Sequence, residues 1–496
     1  MRIRLRTAAI NLLICLLMLA IPTSAKAGEE IGSRGKQNRG RDRRMPEFFQ
    51  TDIPHYPGNV ILSRPTDHSI TLSVQLRDAK KVRVACSQSG KGLALKTDVF
   101  EIEAEQPREI VLDELEENTA YEYRIVNADT GEPLFPEQGD GSFRTCRKPG
   151  EPFTFTVTSD SHLDGNCQPE LYKACLANVL ADNPDLHIDL GDTFMTGKHG
   201  SRETAVRQYA AQRYYFGLIG FSAPIFLVIG NHDGEEVSKS DATGADGLAV
   251  WSCNQRKLLF PNPEPGEFYS GNTETHPYVG LLQDYYAWTW GDALFVVLDP
   301  YWTSRPTRGR KEPWDMTIGK TQYDWLARTL RTSKAKYKFV FIHQLTGGMD
   351  KSGRGGAEAA TLYEWGGHEL DGKDTFKANR TDWEKPIHSL LVENNVTIVF
   401  HGHDHFFARQ ELDGIIYQLV PQPSQRNARN DHAKEYGYNK GELFSSSGHL
   451  RVRVSSEQVD VDYIRAVIGQ SMPQDGMVNG QSSFSYTCGT DPKKGR

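Results

Sequence analysis

Short runs of alternating apolar and polar residues occupy the chain from about residue 56 to residue 145. The segments SITLSVQL, KVRVAC and AYEYRIV follow this pattern, and Asp, Gly, Asn and Pro residues separate such runs. Because successive side chains of a strand point to opposite faces, the alternation predicts short, half-buried β-strands. Strands of this length with turn residues between them predict a small all-β sandwich over residues 56–147.

From Phe153 onward the apolar runs become continuous, and each ends in a cluster of polar residues. Continuous runs predict strands buried on both faces, and helical segments such as QPELYKACLANVLADN alternate with them. We therefore expect a layered α/β/β/α domain over residues 150–468. Ligand sites in such sheets lie just beyond the carboxyl ends of the strands. The runs and their polar ends are FTFTVTSDSH, LHIDLGD, PIFLVIGNHD, YKFVFIHQ and IVFHGHDH.

The first 27 residues have the pattern of a secretory signal peptide. Three arginines lie within the first six residues, an apolar stretch covers residues 8–21, and small residues stand at Ala25 and Ala27. We predict cleavage after Ala27, export to the periplasm or the medium, and no transmembrane segment in the mature chain. The alternative is an uncleaved membrane anchor.

Two further segments lack apolar periodicity. Residues 28–55 are rich in Gly and Arg, which predicts a flexible basic linker, either solvated or attracted to an anionic envelope surface. Residues 469–496 are rich in Ser, Gly and Pro and are expected to form a loosely held C-terminal tail, unless Cys488 ties them down.

Composition and charge narrow the class of protein. With 38% hydrophobic and 24% charged residues, the chain of 496 residues reads as globular. Signal cleavage removes four basic and no acidic residues, which moves the formal net charge from −7 to −11. An acidic protein of this kind is not expected to bind nucleic acid in general. Six cysteines remain without a C-x-x-C pair, so disulfides are plausible and a thiolate zinc site is not.

Three histidines in five residues close the last apolar run, at His401, His403 and His405. If the strand continued, alternation would place all three on one face, where their rings could reach one point. Polar clusters also end the other runs. Each cluster alone has an ordinary explanation as a helix cap, a turn or a core histidine.

The full set of clusters resembles the motifs of calcineurin-like metallophosphoesterases. The preceding sandwich resembles a fibronectin type III domain, in which a leucine precedes a corner tyrosine, here Leu115 and Tyr121. This domain order resembles purple acid phosphatases and their bacterial relatives. The matching motifs are Asp160-Ser-His162, Gly191-Asp192, Gly230-Asn-His-Asp233, His343 and Gly402-His-Asp-His405.

The resemblance implies a centre of two metal ions bridged by a carboxylate, Asp192. It assigns Asp160, His162 and His405 to the first ion and Asn231, His343 and His403 to the second. This mixed nitrogen and oxygen set suits Fe, Mn, Zn or Co. His401 has no place in the family set, and is either a supporting residue or the last buried residue of its strand.

Three further residues receive roles from the same reasoning. His232 is expected to protonate the leaving group or stabilise transition-state charge, and Asp233 to orient its ring. Arg354 lies in a Gly-rich segment after His343, where it is either a phosphate clamp or an exposed loop charge. Purple enzymes carry a tyrosine three residues after the bridging Asp, whereas this chain has Met195, so no purple colour is expected.

Three hypotheses about function follow. The first is an exported phosphatase in which metal-activated water or hydroxide attacks phosphate monoesters of small molecules. The second is a phosphodiesterase acting on nucleotides or phospholipid headgroups. The third, from another class, is a non-catalytic, metal-stabilised envelope binding protein. The oligomeric state is left open.

Overall fold

The computed structural model describes residues 48–237, 243–305, 312–426, 429–469 and 476–489. The predicted signal peptide, residues 1–27, lies outside these ranges. Within them, no helix is both long enough and apolar enough to span a membrane.

Seven strands form the N-terminal sandwich, as the alternating pattern predicts. One sheet has the order β1-β2-β5 and the other the order β4-β3-β6-β7, and both enclose one apolar core. The hydroxyl of Tyr121 accepts a hydrogen bond from the Glu116 backbone N–H at 2.8 Å, a contact typical of a tyrosine corner. Membership of the fibronectin class stays a prediction. The strands are β1 Gly58–Ser63, β2 Ile70–Leu76, β3 Lys80–Gln88, β4 Phe100–Ile102, β5 Arg108–Leu112, β6 Ala120–Asn127 and β7 Gly141–Arg144.

The remaining strands build two larger sheets. One has the order β10-β9-β8-β21-β22-β23, the other β11-β14-β15-β16-β17-β19-β18-β20, and β12 pairs with β13. The strands are β8 Phe153–Thr158, β9 Leu186–Asp189, β10 Ile225–Leu227, β11 Ser270–Gly271, β12 Thr275–His276, β13 Gly280–Leu281, β14 Tyr286–Trp290, β15 Ala293–Val297, β16 Tyr337–Phe341, β17 Ile398–His401, β18 Phe407–Leu412, β19 Ile415–Leu419, β20 Glu442–Phe444, β21 Gly448–Val454, β22 Gln458–Arg465 and β23 Ser482–Gly489.

Helices cover the outer faces of both sheets. Helices α1 and α2 pack with β10 in one apolar cluster, and α4 and α7 pack with β15 and β16 in another. The helices are α1 Pro169–Ala181, α2 Arg202–Gly220, α3 Leu248–Leu259, α4 Gly319–Thr332, α5 Tyr363–Gly366, α6 Phe376–Asn379 and α7 Ile387–Glu393. The predicted α/β/β/α layering is confirmed.

Strand β16 shows why continuous apolar runs produce this architecture. Phe339 and Phe341 face the core between the two sheets, whereas Val340 and Ile342 face the outer helices. Aromatic rings fill the inner core, where the centroids of Phe341 and Phe400 lie 5.0 Å apart. Both faces of the strand are therefore buried, which removes the polar alternation seen in the sandwich.

The sandwich docks on helix α2 through buried polar contacts. The Arg213 guanidinium is fully buried and donates from Nη2 to the Ser73 carbonyl at 2.8 Å. The Asn59 side-chain amide donates to the Arg213 carbonyl at 2.9 Å, and the Tyr123 hydroxyl donates to the Phe221 carbonyl at 2.9 Å. Unpaired buried groups are costly, so these contacts hold one relative orientation of sandwich and helix.

The predicted tail contains a strand. β23 pairs with β22 in antiparallel register, and Phe484, Tyr486 and Cys488 pack against the inner core. Their period-two spacing is the signal that composition obscured. Cys488 is a free thiol, as are the other five cysteines after the signal segment, so the plausible disulfides are not formed.

The described end of the predicted flexible linker is in contact with the α/β domain. The Gln50 backbone N–H donates to the Leu163 carbonyl at 2.6 Å, and the Phe49 ring stacks on the His199 ring with centroids 4.0 Å apart. Phe49 and Gln50, which belong to the predicted linker, are therefore packed against the α/β domain.

Candidate metal centre

All the predicted motifs follow the ends of central strands. Three sets follow β8, β9 and β10, which run parallel to one another, and two follow β16 and β17, which are also parallel. Carboxyl ends of parallel strands meet at the same edge of a sheet. The residues at these ends are Asp160 and His162, Asp192, Asn231 to Asp233, His343, and His403 and His405.

The chain turns sharply at several of these positions. Asp160, Asp192 and His403 have φ angles of 59°, 56° and 79°, and His162 and His405 also have positive φ. A left-handed backbone is costly for residues other than glycine, at about 1–3 kcal/mol each. Such conformations concentrate at functional sites, because surrounding contacts hold side chains there in required directions.

The side chains form two groups with potential ligand atoms close together. In each group the ligand atoms lie within 4.8 Å of one another. The first group shows contacts of 3.4 Å from His405 Nε2 and 3.7 Å from His162 Nε2 to Asp160 Oδ1. The groups are Asp160, His162 and His405, and Asp192, His343 and His403.

Asn231 joins the second group, and Asp192 lies between both. The Asn231 side-chain oxygen is 3.0 Å from His343 Nε2 and 2.9 Å from His403 Nδ1. Asp192 Oδ2 is 3.5 Å from His162 Nε2 in one group and 3.5 Å from His343 Nε2 in the other. The structure thus brings together all seven predicted ligands in the predicted grouping.

Outer contacts hold the histidine rings in defined orientations. His343 Nδ1 donates to the Leu190 carbonyl at 2.8 Å, and His403 Nε2 donates to the Ser352 carbonyl at 2.8 Å. Because a carbonyl only accepts, the proton of each neutral ring lies on that nitrogen and the other nitrogen keeps its lone pair. That second nitrogen is the one that faces the group.

Charge and unsatisfied polar atoms show that these residues fit a cation. Burial opposes ionisation of Asp160, yet His162, His343 and His405 hold its pKa well below the usual range. Burial also opposes protonation of His343, yet Asp192 and Asp160 raise its pKa to about 9. Asp160 Oδ1 and His162 Nε2 are buried without a hydrogen-bond partner in the described chain. A bound metal ion would satisfy both atoms and supply the missing positive charge.

Sequence comparison agrees with this geometry. The family model described as calcineurin-like phosphoesterase matches residues 153–407, which is more than half of the chain. The chain belongs to the calcineurin-like phosphoesterase family. It is therefore a metal-dependent phosphoester hydrolase, and the hypothesis of a non-catalytic binding protein is not supported.

Structural comparison agrees on the fold of this phosphoesterase. The present chain is similar to PhoD, with a TM-score of 0.60 and 17% sequence identity. The match covers 88% of this chain and 92% of PhoD. GAP50 of Plasmodium matches with a TM-score of 0.38 and 14% sequence identity, over 69% of this chain and 90% of the GAP50 chain. A putative 5'-nucleotidase from Staphylococcus aureus matches with a TM-score of 0.34 and 13% sequence identity, over 66% of this chain and 57% of the nucleotidase chain. The last two scores are too low to bear on the fold. No curated protein sequence matches the chain.

His232 and Asp233 of the phosphoesterase have different surroundings. The His232 backbone N–H donates to Asp192 Oδ1 at 2.7 Å, and its half-buried ring lies 6.3 Å from the His162 ring. Asp233 was expected to orient this ring, but no hydrogen bond joins them in the described residues. Its carboxylate instead accepts backbone N–H groups of Gly230, Asp192, Thr193 and Phe194 at 2.7 to 3.1 Å. These donors occupy both carboxylate oxygens. Asp233 therefore connects the loop that follows β9 to the loop that follows β10 through hydrogen bonds.

Arg354 lies beside the centre but is engaged within the protein. Its Nη1 donates to Asp350 Oδ2 at 3.0 Å, and its guanidinium carbon lies 4.2 Å from the centroid of the Tyr436 ring. Its Nε is 3.9 Å from Oδ1 of Asp404, which stands between two predicted ligands. The phosphate-clamp role of Arg354 stays a prediction, and it requires exchange of the Asp350 contact.

A polar chain behind His403 was not predicted. The Tyr301 hydroxyl donates to Gln344 Oε1 at 2.9 Å, and Gln344 Nε2 donates to the Ser352 carbonyl at 3.2 Å, which in turn receives His403 Nε2. Tyr301 and Gln344 are buried. The strand-end rule could have found them, because Tyr301 follows the apolar run of β15 and Gln344 follows His343 directly.

His401 is the last residue of β17 and is buried at 1% exposure. Burial lowers its pKa to about 3. The strand ends there, so the three histidines do not continue one alternating face. The interpretation as a buried strand residue accounts for His401.

Proposed function

We propose that this phosphoesterase holds two metal ions and hydrolyses phosphate monoesters of small molecules. The observation that carries the proposal is the position of Asp192, whose Oδ2 lies 3.5 Å from a histidine of each group. A carboxylate placed between two cation sites offsets their mutual repulsion.

The seven side chains divide the work of binding. Asp160, His162 and His405 hold one ion, Asn231, His343 and His403 the other, and Asp192 both. When bound, the ions polarise the phosphoryl group and lower the pKa of water. Fe, Mn, Zn and Co suit the nitrogen and oxygen donors.

His232 is our proposed proton donor to the leaving group. Its backbone is held by Asp192 Oδ1, so a change at the bridging carboxylate reaches His232 directly. Its ring is half-buried and has no hydrogen bond to Asp233, which leaves a ring nitrogen able to carry a proton to an ester oxygen.

We also propose export of the chain, with cleavage after Ala27. The arginines and the apolar stretch of residues 1–27 support this step. Mass spectrometry of the protein isolated from its own cells tests it. A mature N-terminus at residue 28 is expected, and an intact N-terminus on a membrane-bound protein contradicts it.

Hydrolysis of p-nitrophenyl phosphate and of bis(p-nitrophenyl) phosphate tests the reaction. The mature protein is loaded separately with Mn, Zn and Fe, and bound metal is counted by mass spectrometry. We expect two ions per chain and a higher kcat/KM for the monoester. Preference for the diester contradicts the monoester proposal and supports the phosphodiesterase hypothesis.

Asp192→Asn and Asp462→Asn form a matched pair for this assay. Asp462 is also a buried carboxylate, but it pairs with Arg451 and Arg453 on β21. We expect loss of hydrolysis and of metal only in Asp192→Asn. One ion per wild-type chain, or equal activity of the two variants, overturns the proposed centre.

A further inference from the structure

Two residues that precede the β-sandwich lie against the loop of residues 162–167, which begins with a predicted metal ligand. The Phe49 backbone pairs with that of Asp164 as an isolated antiparallel bridge. The Gln50 side-chain amide donates to two carbonyls of the loop, that of Asp164 at 3.0 Å and that of Cys167. We call Phe49 and Gln50 the N-terminal strap. The strap therefore contacts the loop at its middle and at its end.

The backbone of this loop is unfavourable by itself at two positions. His162 and Leu163 have φ angles of 49° and 54°. A left-handed backbone is costly for residues other than glycine, and it persists where surrounding contacts hold it. The strap supplies such a contact, because the Gln50 backbone N–H donates to the Leu163 carbonyl at 2.6 Å. The strap thus helps to hold the turn from which the His162 side chain extends.

A second series of contacts leads from the strap to two ligand loops. The Phe49 ring stacks on the His199 ring, with centroids 4.0 Å apart. His199 Nε2 donates to Gln208 Oε1 at 2.6 Å. Gln208 is buried, and its Nε2 donates to the carbonyl of His162 at 2.5 Å and to that of Thr193 at 2.9 Å. Because Thr193 directly follows the predicted bridging carboxylate, Gln208 connects the first two ligand loops.

The Asp164 carboxylate holds the ring of His162. His162 Nδ1 donates to Asp164 Oδ2 at 3.2 Å, and the Asn166 backbone N–H donates to Asp164 Oδ1 at 2.8 Å. A carboxylate only accepts, so the proton of the neutral ring lies on Nδ1 and Nε2 keeps its lone pair. Nε2 faces Asp160 Oδ1 and Asp192 Oδ2. A carboxylate on the far nitrogen orients a ligating histidine and raises its basicity.

We propose that Asp164 and the N-terminal strap are positioning elements of the metal centre, which hold His162 in the orientation that binds the first ion. The inference rests on the proposed function, since it assigns His162 to that ion. Asp164 fixes the ring, and Gln50 fixes the backbone that carries it. The strap then serves the α/β domain, although residues 56–147 lie between them in the chain.

Two pairs of variants of the mature protein test this role. Asp164→Asn and Gln50→Ala change the two contacts. Asp182→Asn is the control for Asp164→Asn, because Asp182 accepts a buried histidine outside the centre at 2.8 Å and its side chain is 9% exposed, compared with 10% for Asp164. Gln138→Ala is the control for Gln50→Ala, because Gln138 donates at 3.0 Å to a backbone carbonyl of helix α2.

Zinc affinity is measured by competition with a chelator, and bound zinc is counted by mass spectrometry. We expect Asp164→Asn to weaken binding of one of the two ions by about 10–100-fold. Gln50→Ala should act in the same direction by roughly threefold to tenfold, because it removes two hydrogen bonds of the loop. Equal zinc affinity of Asp164→Asn and Asp182→Asn overturns the role of Asp164. Equal affinity of Gln50→Ala and Gln138→Ala overturns that of the strap.

Double variants show which ion depends on Asp164. His343→Ala lacks a ligand of the second group, and His405→Ala lacks one of the first. Adding Asp164→Asn to His343→Ala should weaken the remaining ion by about 10–100-fold. The same addition to His405→Ala should leave the remaining ion unchanged. An equal loss in both backgrounds means that Asp164 only stabilises the fold, and it overturns the proposal.

Hydrolysis of p-nitrophenyl phosphate, measured in parallel, separates this inference from the proposed function. A wild type that binds two zinc ions without hydrolysing the ester, with loss of one ion in Asp164→Asn, supports the positioning role and contradicts the proposed reaction. Hydrolysis by the wild type, with equal zinc affinity in all four single variants, overturns the positioning role and leaves the proposed function intact.

Discussion

The Glu235–Arg256 ion pair and the candidate metal centre are both buried and charged. They differ in whether their polar atoms have hydrogen-bond partners within the protein. Glu235 and Arg256 form a two-point ion pair, with contacts of 2.6 and 2.9 Å, and both side chains are 1% exposed. Arg256 also donates to the carbonyls of Leu282 and Gln283. The metal centre, in contrast, keeps buried ligand atoms that no described residue satisfies.

The difference separates stabilising polar groups from binding groups. A buried ion pair with its hydrogen bonds complete joins helix α3 to the segment after Asp233, and it needs no ligand. The strand-end cluster places two buried carboxylates among histidines on positive-φ backbone, an arrangement that a bound cation would complete. The following predictions probe this contrast, from the largest expected effect to the smallest.

Asp192→Asn should reduce kcat by roughly a thousandfold or more, because metal ions supply several kcal/mol of transition-state stabilisation. Metal should raise the melting temperature of the wild type, and this rise should be absent in the variant. Scanning calorimetry with and without chelator measures it. An equal rise in both proteins would show that Asp192 is not a ligand.

Arg256→Met should destabilise the fold by about 3–5 kcal/mol, because it leaves the Glu235 carboxylate buried and unpaired. Glu235→Gln in the same chain should recover part of the loss. Urea unfolding gives both values. The folded fraction of Arg256→Met should keep its metal, and loss of metal at unchanged stability would place this pair in the centre instead.

Gln344→Leu should weaken metal affinity by about 10–100-fold, because it removes the support of the Ser352 carbonyl behind His403. Gln418→Leu is a closely matched control. Gln418 is buried, accepts the Tyr486 hydroxyl at 2.9 Å and donates to two backbone carbonyls. Both variants should lose similar stability, and only Gln344→Leu should lose metal. Equal metal affinity would mean that the polar chain merely packs the loop.

Asp182 should contribute a small pH-dependent stability. Burial raises the pKa of its carboxyl, but His449 and Arg451 outweigh burial and lower this pKa below its usual value. A lowered folded-state pKa stabilises the fold above about pH 4, and this contribution is lost as the pH falls through the folded pKa. Asp182→Asn should flatten the acid side of the stability curve without changing activity at pH 7. An unchanged curve would contradict the shift.

Local rules were sufficient to predict much of the fold, and they also drew attention to the residues that we propose as metal ligands. Period-two alternation marked the sandwich, and continuous runs such as that of Phe339 to Phe341 marked strands buried on both faces. The rule that sites follow strand ends located Asp160 and His343. Asp233 also follows a strand end, but residue type alone does not distinguish a carboxylate that accepts backbone N–H groups from one that orients a ring.

Other features depend on residues far apart in the chain. Strand β23 was obscured by a polar composition, although its alternating aromatic residues complete the sheet beside β22. The series of hydrogen bonds that links Tyr301 to His403 joins three strand ends and a loop. The strand-end rule can single out Tyr301 and Gln344 individually, but only the tertiary structure shows that they are hydrogen-bonded to each other and, through Ser352, to His403.

The sequence by itself determined the residue types at the strand ends and the order of a β-sandwich before an α/β domain. These follow from alternation and apolar continuity, which are properties of neighbouring residues. The tertiary structure alone decided which carbonyl holds each histidine ring and which backbone N–H groups the Asp233 carboxylate accepts. Those contacts arise only when the parallel strands bring distant segments to one edge, where distance and direction rather than residue type select the partner.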